Sequence, residues 1–178
     1  MTQEKKVLGE ERRNLLLNWL QTENKPLTGG ELASRTNVSR QVIVQDISLL
    51  KAKNEPIMAT SQGYVYMKPY GQPIKKERII VSYHEPYRTK EELYILVDYG
   101  VTVKDVRIEH PVYGDLNASV MVSTRAEVDA FIRKIKQTNA SYLSQLTDGT
   151  HLHTLEADSE EKLDAACAAL MEAGMLVE

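Results

Sequence analysis

Two of the chain's four histidines stand two positions apart, His151 and His153, in the stretch THLHTLEA from Thr150 to Ala157. That stretch reads as a β-strand, where side chains two apart leave from one face roughly 6.6–6.8 Å apart. Imidazoles so placed can converge on one ion, at a metal–nitrogen distance of about 2.0–2.1 Å. They can equally act as a pair of bases or hold ordinary hydrogen bonds. A third ligand from the end of a neighbouring strand fits the first option, and His84 stands at such an end. A carboxylate from the helix that follows, Glu92 or Glu91, completes the set. Glu92 has a competing use, because Thr89 and Glu92 have the spacing of a capping box, which would engage the carboxylate at a helix N-terminus. His-x-His alone is a weak pattern. The chain has no HExxH pair, no Gly-rich phosphate loop and no GxSxG elbow, and its single cysteine, Cys167, sits in a helix of apolar spacing where it reads as a small core residue.

The elements that must position these residues follow from periodicity. The 178 residues suffice for one domain or two small ones, and 42% hydrophobic with 26% charged residues is ordinary for a globular protein. The opening MTQEKKVLGEERR is charged and lacks a signal-peptide core, no apolar run reaches the roughly 20 residues of a membrane span, and one cysteine fits a reducing compartment. The expectation is therefore a cytoplasmic protein with no membrane association. Lys68–Glu77, KPYGQPIKKE, reads as a linker. It separates residues 1–70, with 10 Lys+Arg and 7 Asp+Glu, from residues 71–178, with 12 and 18. A basic module of balance +3 joined to an acidic one of −6 suggests different partners for each.

Residues 1–70 read as three short helices and a hairpin. Leu15, Leu16, Trp19 and Leu20 mark the first helix; Thr28 and Glu31 box the second; Ser39 caps a third whose Val42, Ile43, Ile47 and Leu50 face inward; PIMATSQGYVYM turns around Ser61–Gly63. This is a winged helix-turn-helix, whose third helix enters the major groove. Ser39, Arg40, Gln41 and Gln45 then face the duplex, Arg suited to guanine and Gln to adenine, with Gln62 and Tyr64 on the wing beside it. A protein-contact module is the alternative; the basic first turn and the charge balance favour DNA. One module makes few phosphate contacts, so a dimer on a paired half-site is expected, with the acidic part as its interface.

Residues 71–178 read as β-α-β-β-α-β-α-β: strands over Arg78–Tyr83, Val103–His110, Asn117–Val122, the His-x-His stretch and a short Met175–Val177, with helices opening at Thr89 and Thr124 and a last one over Ser159–Ala173 carrying Leu163, Ala166, Leu170 and Met171. The expected class is α+β, an N-terminal winged helix-turn-helix and a C-terminal open-faced α/β sandwich with helices on one face of a largely antiparallel sheet.

The stretch LTGGELASRTNVSRQVIVQDISLLK resembles the helix-turn-helix of biotin-repressor-type winged helices, while IEHPVYG and GTHLHTLEA resemble the signatures of the three-histidine (3H) regulatory domain. Together they resemble the nicotinate-responsive repressors of NAD biosynthesis, over nearly the whole chain; the first match is generic and the other two are specific. The resemblance implies a homodimeric, non-enzymatic repressor of genes for NAD synthesis and niacin uptake, with operator DNA as partner and nicotinic acid as co-repressor. It implies one divalent metal per chain, nickel or zinc, on His84, Glu92, His151 and His153, with His110 and Tyr113 of the EHPVYG motif near the ligand. Two rivals stand beside it: a repressor for which the ion is itself the signal, and a metal-dependent hydrolase using His110 or Glu109 as base.

Overall fold

The computed structural model describes residues 8–67 and 75–177; most of the expected linker, 68–74, and the first seven residues of the charged opening lie outside the described residues. The chain divides into two compact units, Met1–Tyr70 and Gly71–Glu178.

The first unit holds helices α1 (Gly9–Thr22), α2 (Gly29–Thr36) and α3 (Arg40–Ala52) and a hairpin of β1 (Ile57–Thr60) and β2 (Gly63–Tyr66). Leu16, Leu20, Leu32, Ile43, Ile47, Leu50 and Ile57 form its core. Two of the three helices start on a side-chain cap, α2 at Thr28 and α3 at Ser39. The Thr28 hydroxyl accepts from the Glu31 N–H at the head of α2, although the Glu31 carboxylate turns to Arg35 instead of closing the box. Asn37, in the left-handed region at φ 51°, ends α2 and makes the tight turn into α3. The hairpin is tied back to the helices by reciprocal backbone bonds between Leu27 and Tyr64. Gly63 makes that approach feasible: at φ +133°, a Cβ there would lie 2.7 Å from the Leu27 carbonyl.

One buried contact in this unit has no counterpart in the apolar pattern. Asp46 of α3 is 2% exposed and binds Arg12 and Arg13 of α1, one through each carboxylate oxygen.

The second unit contains β3 (Lys76–Tyr83), α4 (Thr89–Asp98), β4 (Thr102–His110), β5 (Gly114–Val122), α5 (Arg125–Thr138), β6 (Thr150–Ala157) and α6 (Glu160–Glu172), with 3-10 turns at Pro86–Arg88 and Leu143–Thr147. The sheet order is β3-β6-β4-β5, every neighbour antiparallel. It follows that β3 runs parallel to β4, joined by α4, and β5 parallel to β6, joined by α5. Two crossovers interleave and place the last strand in the chain inside the sheet. The helices cover one face through Leu93, Leu96, Val128, Ile132, Leu163, Ala166 and Leu170, while Ile79 and Tyr83 of β3 stay exposed.

The helix and strand pattern agrees with the sequence reading, with three differences. Met175–Val177 is not a strand of the sheet; among the described residues it makes one bridge, Leu176 to Ser82, along the outer edge of β3. Met171 is 48% exposed, because Leu170 occupies the inward position of that turn. The helix expected to open at a Thr89 cap is already turning: Pro86–Arg88 form a 3-10 turn, and Arg88 stands at the N-cap without a side-chain cap bond. Glu92 is therefore released from capping.

Removing Asp46 takes a carboxylate partner from two arginines, one of them 7% exposed. Asp46→Ala should destabilise the first unit by about 3–5 kcal/mol. Denaturant unfolding of the full chain, followed by the fluorescence of Trp19, measures it; an unchanged midpoint would show the pair to be dispensable.

Candidate metal centre and nucleic-acid interface

Antiparallel register assembles the cluster. Ser82 of β3 faces His151 of β6 and Ile80 faces His153, so His84, two residues past Ser82, leaves from the same face just beyond the strand. Glu92 reaches the three rings from the first turns of α4, whose 89, 92, 93 and 96 positions form its buried stripe. All four residues are buried, Glu92 completely. The Nε2 atoms of His84, His151 and His153 stand 2.8, 3.3 and 3.3 Å from one atom, Glu92 Oε2. Donor atoms of His84, Glu92 and His151 lie within 4.8 Å of one another. The rings of His84 and His151, and of His151 and His153, meet edge to face at 4.9 and 4.8 Å.

The other nitrogen of each ring decides what these contacts are. His84 Nδ1 lies 2.9 Å from the Glu85 carbonyl, His151 Nδ1 2.8 Å from the Gly149 carbonyl, and His153 Nδ1 2.6 Å from the Asp105 carbonyl. A carbonyl only accepts, so each Nδ1 carries the hydrogen and each Nε2 of a neutral ring presents a lone pair. Three lone pairs then face a carboxylate oxygen in a buried site. This repels unless positive charge is supplied, by protons on the rings or by a cation between them. The same outer bonds that orient the rings are those that fix metal-ligating imidazoles. The donor set, three nitrogens and a carboxylate, suits a borderline divalent ion, and Glu92 Oε1 is left without a hydrogen-bond partner.

The electrostatics agree. Burial pushes the pKa values of His84 and His153 down, but Glu92 pulls both up further, so both end raised above 6.5. Burial pushes Glu92 up, and the histidines hold it well below 4.5.

The backbone is shaped for these bonds. Gly149, at φ +98°, turns the chain so that its carbonyl meets His151; a Cβ there would fall 2.6 Å from the His84 carbonyl oxygen. The ladder between β4 and β6 breaks between Val103 and Arg107. In that bulge the Asp105 carbonyl turns to His153, and its carboxylate accepts from the Thr154 N–H at 2.9 Å. Sequence reasoning missed these carbonyls; only the Asp148-Gly149 turn before the histidine strand carried a visible signal.

Beside the cluster lies a small cavity of about 40 Å³ with largely apolar walls, including Leu93, Val106, Val120, Phe131 and Tyr142. The structure does not bring His110 and Tyr113 to it. His110 Nδ1 instead accepts from the N–H groups of Val112 and Tyr113, at 3.2 and 3.3 Å, and closes the β4–β5 turn. Tyr113 is 74% exposed there. Glu91 is likewise outside the cluster, in an ion pair with Arg88.

In the first unit, Ser39, Arg40, Gln41 and Gln45 lie exposed along the opening turns of α3. The Ser39 hydroxyl is engaged as the helix cap, accepting from Val42 N–H at 3.4 Å. The Arg40 stem passes close to Gly29 at the head of α2. Gln62 is half-buried at the hairpin turn, and Tyr64 packs against the helical core, a supporting position.

Comparison with known proteins gives the same two-part division. A 3H domain profile matches residues 77–178, and an HTH domain profile matches residues 12–65. The chain is 65% identical over 178 residues to the transcription repressor NadR of Bacillus subtilis, covering 99% of each chain. It is 36% identical over 173 residues to a probable transcription repressor NiaR of Thermotoga maritima, covering 97% of each.

Without a cation, the raised His84 and His153 contribute stability fully present below pH 6.5 and lost as pH rises through their folded values. The lowered Glu92 contributes stability present above pH 4.5 and lost as pH falls through its folded value. The chelated protein should therefore be most stable between these limits and lose melting temperature from pH 6 to 8. Added Zn²⁺ or Ni²⁺, which needs unprotonated rings, should raise the melting temperature more at pH 8 than at pH 6. Scanning calorimetry of chelated and metal-loaded protein tests this; a gain independent of pH would contradict it.

Proposed function

The chain belongs to the 3H-domain family of transcription repressors with an N-terminal HTH domain, and from that premise we propose that it represses genes of NAD synthesis and niacin uptake when nicotinic acid is bound beside its histidine–glutamate cluster. It is a DNA-binding repressor and not an enzyme. The observation that carries the proposal is the meeting of three tautomer-fixed Nε2 atoms on one buried carboxylate oxygen, next to an apolar cavity.

In this reading His84, Glu92, His151 and His153 hold one divalent ion, nickel or zinc. When bound, that ion supplies a Lewis-acidic position suited to a nitrogen or carboxylate donor, and nicotinate carries both. The chain's own residues do the rest. Glu92 offsets part of the positive charge. The carbonyls of Glu85, Gly149 and Asp105 hold the rings in orientation. Leu93, Val106, Val120 and Phe131 line the cavity beside the site and offer apolar contact to an aromatic ring. Occupation ties together β3, α4 and β6, and β3 is the strand by which the chain enters the second unit. DNA contact belongs to Arg40, Gln41 and Gln45, with Ser39 reaching a phosphate and Gln62 and Tyr64 on the wing. A homodimer, matching a two-fold operator, supplies the phosphate contacts that one small module lacks.

Two outcomes test this. Purified metal-loaded protein should bind DNA upstream of NAD-synthesis genes more tightly with nicotinate than without, as two chains per site by sedimentation. Chelation, or Glu92→Gln, should remove that response while leaving basal DNA contact. An unchanged nicotinate response in Glu92→Gln sinks the site; tightening by the ion alone, with no further effect of nicotinate, favours the ion as the signal. Separately, Arg40→Ala should weaken operator binding by about 1–3 kcal/mol and relax preference at one base pair without lowering the melting temperature. Equal affinity for all operator variants before and after the change would remove Arg40 from base reading.

A further inference from the structure

Among the described residues three buried polar atoms near the cluster have no hydrogen-bond partner: Glu92 Oε1 and the Thr89 hydroxyl, both on α4, and the Ser82 hydroxyl of β3, which stays outside the cavity lining. The second is unusual for this chain. Thr22, Thr36, Ser48 and Thr138 each donate to the carbonyl four residues back, at 2.8, 2.7, 2.8 and 2.8 Å. The corresponding acceptor for Thr89 is the Glu85 carbonyl. That oxygen already receives His84 Nδ1 at 2.9 Å and the Arg88 N–H at 3.0 Å. Thr89, at the first position of α4 and with an extended Glu85 four residues back, makes no such bond.

Thr89 is 8% exposed and lines the same cavity as Glu92, His151 and His153. It is the first residue of α4, a helix of 10 residues whose N-cap makes no side-chain cap bond. The positive end of a helix favours an anion, and an unpaired buried hydroxyl has a donor to offer one. Apolar side chains, among them Leu93, Val106, Val120 and Phe131, make up most of the remaining lining. The combination fits a flat ring that carries a carboxylate.

We propose that Thr89 is a specificity-determining residue whose hydroxyl donates to the carboxylate of a small aromatic acid seated in this cavity. The inference rests on the nicotinate reading above and adds the group that reads the effector's charge. The cavity's 40 Å³ holds little more than water as it stands. Entry of a ring therefore moves the half-buried Phe131 and Tyr142, whose ring centroids are 6.4 Å apart on its wall.

The test uses the metal-loaded full chain, with nicotinate and nicotinamide as probes in titration calorimetry and metal content measured in parallel. Thr89→Val keeps the branched shape and removes the donor; Thr89→Ala is a second donor-free variant should valine disturb folding. Either should retain the metal and bind nicotinate about 10- to 100-fold more weakly, with a smaller loss for the uncharged nicotinamide. Thr89→Ser should restore nicotinate binding. Unchanged nicotinate affinity in a folded, metal-loaded, donor-free variant overturns this inference and leaves the proposed function standing. Failure of the metal-loaded wild-type chain to bind nicotinate overturns both.

Discussion

Three imidazoles whose Nδ1 hydrogens are committed to carbonyls cannot also donate to a carboxylate through Nε2 while they remain neutral. Everything around Glu92 in the second unit follows from that constraint. A fully buried carboxylate costs several kcal/mol of desolvation, and the Nε2 atoms beside it repay this only when positive charge enters the site. The cluster is thus a fold element with a missing charge. Its neighbours show the same demand: Gly149 takes a left-handed backbone, β4 bulges at Asp105, and the Glu85 carbonyl accepts twice. Each departure from regular structure serves to aim one carbonyl at one ring.

The interleaved crossovers explain why such a cluster can be rigid. His151 and His153 lie on β6, which is paired on both sides within the sheet. Their rings are locked between β3, which brings His84, and β4, which brings the Asp105 carbonyl. Glu92 arrives on a helix packed across the same face. Four donors from three elements then depend on strand register, and register is strongly specified where one face is buried. A slip of one residue would turn both β6 histidines to the other face, where Ile79 and Tyr83 of β3 are exposed.

The parts of this arrangement legible in the sequence were those governed by short-range rules. Apolar spacing placed the helices, and alternation placed both histidines on one buried face. The resemblance to 3H domains named the four cluster residues that the structure gathers. Long-range geometry was not legible. Nothing local to Thr89 reveals that a 3-10 turn precedes it and displaces the capping box, because the pattern Thr-x-x-Glu is the same whether the glutamate caps or is buried. Asp46 reads as a solvated position on α3 until α1 brings Arg12 and Arg13 against it. His110 lies in the EHPVYG motif that resembles the 3H signature, yet its ring nitrogen faces the N–H groups of its own turn.

The two units meet the same physical problem with opposite solutions. Asp46 and Glu92 are both buried carboxylates, 2% and 0% exposed. The first unit supplies its own cations: the guanidinium groups of Arg12 and Arg13 engage both oxygens of Asp46. Its helical core therefore asks nothing of the solution. The second unit surrounds its carboxylate with imidazoles, groups whose charge is conditional on their surroundings. Two oxygens of Asp46 are satisfied, whereas one of Glu92 is not. A DNA-binding module benefits from a framework independent of its surroundings, and the sensing role proposed for the second unit requires the reverse. On that proposal the division of labour between the units lies in the choice of counter-charge, arginine on one side and histidine on the other.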